Sequence, residues 1–225
     1  MALSAIKAVL FDAYGTLFDV HSPAARIAGD IGENTAAISD LWRTKQLQYT
    51  WLRSLMQAHA PFDKVTEDAL DYALAQYSVA SPEIRSRLLQ LYLTLDAYPD
   101  APDALKRLKS AGIVTGILSN GSPSMLSSAV NSAKLGATLD HVLSIESVGV
   151  YKPDPRVYRF GAETVGYAPG EVGFVSANGW DAAGAAHFGF QVIHLNRFDQ
   201  PREMLPSGPA VVLKSLNDAA AAILD

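Results

Sequence analysis

From Pro99 onward the chain alternates between strand-sized apolar runs and helical patterns, and this alternation constrains the fold more than any other feature. A helix is expected near 101–111, ended by Gly112, followed by a strand at Ile113–Leu118 and a helix near 123–132. Next come a strand near 141–146, a helix near 155–166, a strand at Val172–Val175, a helix near 181–188 and a strand at Gln191–Leu195. A short strand at Val211–Leu213 and a final helix close the series. Such alternation gives a mostly parallel sheet with right-handed crossovers. Residues 7–11 read as one more buried strand of the same sheet.

The stretch between that first strand and Pro99 is helical almost throughout. Ile38, Leu41, Trp42, Tyr49, Leu52, Leu55 and Met56 form one apolar stripe, with a period near 3.6. A second helical pattern covers Thr66 to Tyr77. A third opens at Ser81-Pro82-Glu83, with a capping serine and a proline in the first turn. The expected fold class is therefore α/β: a doubly wound, mostly parallel sheet with a helical cap inserted after the first strand. Residues 1–19 and 99–225 would form the core domain and 20–98 the cap domain.

In such sheets ligands bind at the carboxyl ends of the strands. The first strand ends at Asp12, followed by Gly15 and Thr16; the Ile113 strand ends at Ser119-Asn120-Gly121. The strand near 141–146 leads to Tyr151-Lys152-Pro153-Asp154, and the Val172 strand ends at Ser176-Ala177-Asn178-Gly179-Trp180-Asp181. Each loop alone has a plain reading as turn chemistry or helix capping. Together they put two carboxylates, an ammonium, hydroxyls and amides on one rim.

Composition narrows the chemistry. The 225 residues are 49% hydrophobic and 18% charged, enough for a full core. The net charge of −5 argues against nucleic acid or anionic membrane as the main partner. There is no cysteine, so disulfides, thiolate catalysis and Cys-ligated zinc are excluded. No apolar run reaches membrane-spanning length. The amino terminus lacks a basic stretch followed by a signal-type apolar core, which points to a soluble cytoplasmic protein.

The four rim segments resemble, in order, the four motifs of the haloacid dehalogenase superfamily. Within it, Phe-Asp-Ala-Tyr-Gly-Thr-Leu-Phe-Asp-Val at 11–20, Leu-Trp-Arg at 41–43, Leu-Ser-Asn-Gly at 118–121, Tyr-Lys-Pro-Asp-Pro at 151–155 and Ser-Ala-Asn-Gly-Trp-Asp at 176–181 resemble the type II (S)-2-haloacid dehalogenases. Ala177 and Gly179 depart from the last motif but leave its polar members in place. The resemblance implies hydrolysis of L-2-haloacids to D-2-hydroxyacids, with halide as the second product, no metal or other cofactor, and a homodimer.

The resemblance also assigns roles. Asp12 would displace halide from carbon and form an aspartyl ester. Lys152 would hold Asp12 ionised, with a surface lysine as the plain alternative. Asp181 would orient or activate the hydrolytic water beside Ser176 and Asn178; its plain role would be to cap a helix. Tyr158 would join this network or serve as a core tyrosine. Thr16 would hydrogen-bond Asp12 or stabilise the turn. Ser119 and nearby amides would take the substrate carboxylate at a helix start. Arg43, assisted by Asn120, would receive the halide; without the resemblance Arg43 reads as a solvated helix arginine. Tyr14, Leu47, Phe62 and Trp180 would wall the substrate's carbon chain or belong to the core. The five histidines read as structural or exposed, and Asp19 as loop-supporting.

Most superfamily members are phosphatases and carry a second acid where this chain has Tyr14. An alkoxide leaving phosphate needs a proton, whereas halide needs none. The sequence leaves a magnesium-dependent phosphatase and a non-catalytic binding protein as the alternatives.

Overall fold

The computed structural model describes residue 3 and residues 5–225. Six strands form one parallel sheet: β1 (Ala8–Phe11), β2 (Val114–Ser119), β3 (His141–Ser144), β4 (Val172–Ser176), β5 (Gln191–Leu195) and β6 (Val211–Leu213). Their spatial order is β3-β2-β1-β4-β5-β6. The order reverses between β1 and β4, the place where open α/β sheets leave a crevice for ligands. Every residue of β1 is buried, as expected of a central strand covered on both faces. Its register pairs Phe11 with Ile117 on one side and with Val175 on the other. Asp12 continues the ladder, its N–H donating to Val175 O at 2.9 Å, so a sheet hydrogen bond fixes the backbone of the first polar residue.

The helices after the insertion are α6 (Ala101–Ser110), α7 (Pro123–Ser132), α8 (Pro155–Val165), α9 (Gly179–Phe188) and α10 (Leu216–Leu224). Helix α6 packs on α10, and α8 on α9, with contacts to β2, β4 and β5. Three of them start at side-chain caps: Ser122, Asp154 and Ser215 accept backbone N–H bonds.

Five helices lie between β1 and α6 in the chain: α1 (Ser22–Arg26), α2 (Ala28–Ile31), α3 (Thr35–Leu55), α4 (Phe62–Gln76) and α5 (Pro82–Tyr92). The chain enters and leaves this segment side by side. Phe18 bridges Ala97, Asp19 N donates to Asp96 O, and Tyr98 N donates to Leu17 O. Ser81 caps α5 as its sequence predicts, its hydroxyl accepting from Ile84 N. Helix α4 starts earlier than the Thr66 pattern suggests, directly after Pro61.

Two expectations need correction. The apolar stripe of α3 does not stay on one buried face: Leu52, Leu55 and Met56 are 51%, 81% and 71% exposed. The buried positions are Ile38, Ser39, Trp42, Gln46 and Thr50; Gln46 finds polar partners on α4 and α5, and Thr50 donates to the Leu47 carbonyl of its own helix. The strand near 141–146 ends at Ser144, whose hydroxyl accepts from Glu146 N and turns the chain into a short 3₁₀ segment, Ile145–Ser147.

Candidate active site

Asp12 lies 6% exposed at the end of β1. Its Oδ2 accepts from Thr16 Oγ1 at 3.0 Å and from Asn178 Nδ2 at 2.7 Å; its Oδ1 accepts from Lys152 Nζ at 3.2 Å. Thr16 Oγ1 in turn accepts from Ala177 N at 2.9 Å, tying the loop after β1 to the loop after β4. Gly15 shapes the turn that makes this possible, with φ at +91°, where a side chain would be strained.

Lys152 is 1% exposed. Its ammonium also donates to Asp181 Oδ2 at 2.8 Å and sits 4.9 Å from the Phe174 ring centroid. Its main-chain N–H donates to Asn120 Oδ1 at 3.1 Å, so the loop after β2 fixes the loop that carries the lysine. Burial works against the charge, but the two carboxylates outweigh it and hold Lys152 above its ordinary range. Asp181 is fully buried and accepts from Tyr158 OH at 2.7 Å and from Ser176 Oγ at 3.3 Å. Burial pushes Asp181 up to about 6; the Lys152 charge pulls it down and the Asp12 charge pushes it up. Burial also pushes the Tyr158 phenol well up, which keeps it a donor. The cation between the two carboxylates is thus a lysine. Among the described residues, no group of three or more His, Asp or Glu side chains is gathered as a metal site would require.

Arg43 reaches the same place from α3. Its Nη2 donates to Tyr14 O at 3.1 Å and to Asn178 Oδ1 at 3.2 Å. The Asn178 amide therefore links the guanidinium to the Asp12 carboxylate. The Tyr14 ring stacks on Tyr92 at 5.6 Å and lies 5.5 Å from Phe62. A cleft of about 690 Å³ opens at Arg43 and Asn178, lined in part also by Gly15, Leu47 and Trp180. Ser119 is buried, its Oγ accepting from Gly121 N at 3.1 Å.

A sequence model of the haloacid dehalogenase-like hydrolases matches residues 6–189. The chain belongs to this hydrolase family. (S)-2-haloacid dehalogenase 4A of Burkholderia cepacia is 45% identical to this hydrolase over 202 residues, covering 89% of this chain and 87% of that one. A solved dehalogenase with an intermediate complex superposes with a TM-score of 0.97 at 41% identity, covering 99% of both chains. The L-2-haloacid dehalogenase of Xanthobacter autotrophicus with chloropropionic acid covalently bound superposes with a TM-score of 0.91 at 36% identity, covering 97% of this chain and 98% of that one.

The hydrolase thus brings Asp12, Thr16, Lys152, Tyr158, Ser176, Asn178 and Asp181 into one hydrogen-bonded network. Arg43 and Asn120 each attach to it, Arg43 through Asn178 and Asn120 through the Lys152 backbone. Leu47 and Trp180 line the cleft, and Phe62 packs on Tyr14. Ser119 is tied to that network through the loop it shares with Asn120, its Oγ accepting from Gly121 N. Sequence reasoning missed Gln46, Thr66 and Tyr92, which are buried around Arg43. The one available signal was Gln46 itself, a polar residue one turn after Arg43 in an apolar pattern.

Proposed function

We propose that the chain hydrolyses short L-2-haloalkanoic acids to D-2-hydroxyalkanoic acids. The observation that carries this reading is the environment of Asp12. Its carboxylate is buried and held by an ammonium, an amide and a hydroxyl, while the position two residues on holds a tyrosine ring rather than a proton-donating acid.

A lone pair of the Asp12 carboxylate attacks Cα, and the carbon–halogen pair leaves with the halide. In-line displacement inverts that carbon once. Water then adds to the Asp12 ester carbonyl, giving one proton to Asp181. Collapse expels the hydroxyacid alkoxide, which takes that proton; the second water proton stays on the Asp12 carboxyl and then leaves to solvent, so Asp12 is restored as the carboxylate with the inverted carbon untouched. Lys152 balances the charge of both carboxylates through the cycle, and Tyr158 and Ser176 orient Asp181. Ser119 and the N–H groups at the start of α7 suit the substrate carboxylate. Arg43, assisted by Asn120, suits the departing halide in a site from which water is excluded. Tyr14, Leu47, Phe62 and Trp180 suit the carbon chain. Residues 20–98 act as a cap domain over the core formed by 1–19 and 99–225.

The test is halide release from each enantiomer of 2-chloropropionate in excess chelator, for the native chain and Asp12→Asn. Release from the L form alone, abolished in the variant, is the expected result. Activity that depends on magnesium and a phosphate ester would overturn the reading.

Among the described residues no helix is long and apolar enough to cross a membrane. Under the same reading the enzyme works in the cytoplasm as a homodimer. The exposed Leu52, Leu55 and Met56 at the end of α3 offer an apolar surface for pairing. Sedimentation equilibrium of the native chain checks this; a monomer at micromolar concentration would exclude it.

A further inference from the structure

Gln46 is 1% exposed and lies one helical turn after Arg43 on α3. Its Oε1 accepts from Arg43 Nη1 at 2.9 Å and from Tyr92 OH at 3.2 Å; its Nε2 donates to Thr66 Oγ1 at 2.8 Å. The two ends of an amide are told apart by what their neighbours can give and take. Thr66 has one hydroxyl proton, and it goes to Phe62 O at 2.7 Å. Toward Gln46, Thr66 can therefore only accept. That fixes Nε2 on Thr66 and turns Oε1 to Arg43 and Tyr92. Thr66 is itself pinned, its carbonyl accepting from Trp42 Nε1 at 2.9 Å. A one-way chain of donors thus relates the main chain of α4 to the guanidinium, and helices α3, α4 and α5 meet at a single amide.

A guanidinium is a rigid planar fork, so two anchors on different nitrogens set its plane. For Arg43 these are Gln46 on Nη1, and Tyr14 O with Asn178 Oδ1 on Nη2. Without the first anchor the fork can turn about the second.

We infer that Gln46 is a positioning residue that holds the Arg43 guanidinium in the plane from which it receives the departing halide. This rests on the halide role proposed above for Arg43. It has a step-specific signature. Halide departs as the ester forms and takes no part in ester hydrolysis, so loss of Gln46 slows the first step and spares the second. A merely structural role would slow both.

The experiment is rapid quench on the full chain, with ester formation and ester hydrolysis measured separately for L-2-chloropropionate and L-2-bromopropionate. The variants are Gln46→Met, Gln46→Glu, Thr66→Val and Arg43→Met. Gln46→Met should slow ester formation on the order of tenfold, the scale of one hydrogen bond to a charged group. The effect should be larger for chloride, the poorer leaving group, and ester hydrolysis should be unchanged. Gln46→Glu keeps an acceptor on Arg43 and should recover part of the loss. Thr66→Val leaves Gln46 in place but frees its amide, and should slow the same step by less; it carries the test if Gln46→Met does not fold. Native ester formation in Gln46→Met beside a slow Arg43→Met overturns the inference, as does an equal fall in both steps. Native ester formation in Arg43→Met would instead remove the halide role of Arg43, and the inference with it.

Discussion

Replacing Lys152 with methionine removes the ammonium between Asp12 and Asp181, 3.2 Å from one and 2.8 Å from the other. The side-chain volume is nearly kept, so the main change is electrostatic. Two carboxylates are then left almost without solvent. Breaking a buried pair in this way costs about 3–5 kcal/mol. In a chain of this size each kcal/mol moves the melting temperature by about 2–4 °C, giving a fall of roughly 6–20 °C at pH 8. The deficit must depend on pH. Burial already raises Asp181 to about 6. Without the lysine it rises further, and a carboxyl raised on folding adds stability only while protonated. That contribution fades as pH climbs from the unfolded carboxyl value through the folded one. The variant should therefore lie closest to the native protein near pH 5 and furthest above pH 7. Calorimetry at pH 5 and pH 8 measures this, and rapid quench should show ester formation slowed about 10–100-fold, the worth of one charge-assisted hydrogen bond to Asp12. An equal loss of stability at both pH values, or native ester formation, would refute the assignment of Lys152 as the counter-charge of this pair.

Asp181→Asn should let the Asp12 ester accumulate, seen by mass spectrometry as the native mass plus one acyl group; no accumulation under excess substrate would remove Asp181 from the second step. Under the proposed mechanism that step needs the ionised carboxylate, so its rate should fall as pH drops through about 6, and the acidic limb should be missing from the residual rate of Asp181→Asn. A Cβ on Gly121 would lie 2.6 Å from Tyr14 Cε2, so Gly121→Ala should cost about 1–3 kcal/mol by denaturant titration and narrow the range of accepted chain lengths. Unchanged stability would mean that Tyr14 moves freely.

The sheet and its polar rim were legible because they follow from short-range rules. An apolar run that stops at Asp12, or at Ser176, marks the end of a buried strand wherever it occurs. Capping was equally local, as at Ser81. The depth of Lys152 was not legible, since a Lys-Pro-Asp turn reads as surface. Its burial depends on Asn120 gripping its backbone and on Asp181 arriving on α9, which follows a strand on the other side of β1. The inner face of α3 failed for a related reason. Gln46 and Thr50 are buried because Thr66, Tyr92 and the Leu47 carbonyl supply partners. Leu55 and Met56, at the end of α3, are exposed to solvent. Periodicity reports amphipathicity, and it does not report which polar groups find company.

The side-by-side passage of the chain at Phe18 and Ala97 has a consequence for inheritance. Both ends of the five-helix segment meet side by side at one place, so the segment can be exchanged for another of any length without re-threading a single strand. Asp12 and Lys152 lie outside the five-helix segment, and Arg43 and its Gln46 anchor lie within it. On the roles proposed above, bond-breaking power and the choice of leaving group would be carried on separable pieces of one gene product, free to be selected at different rates.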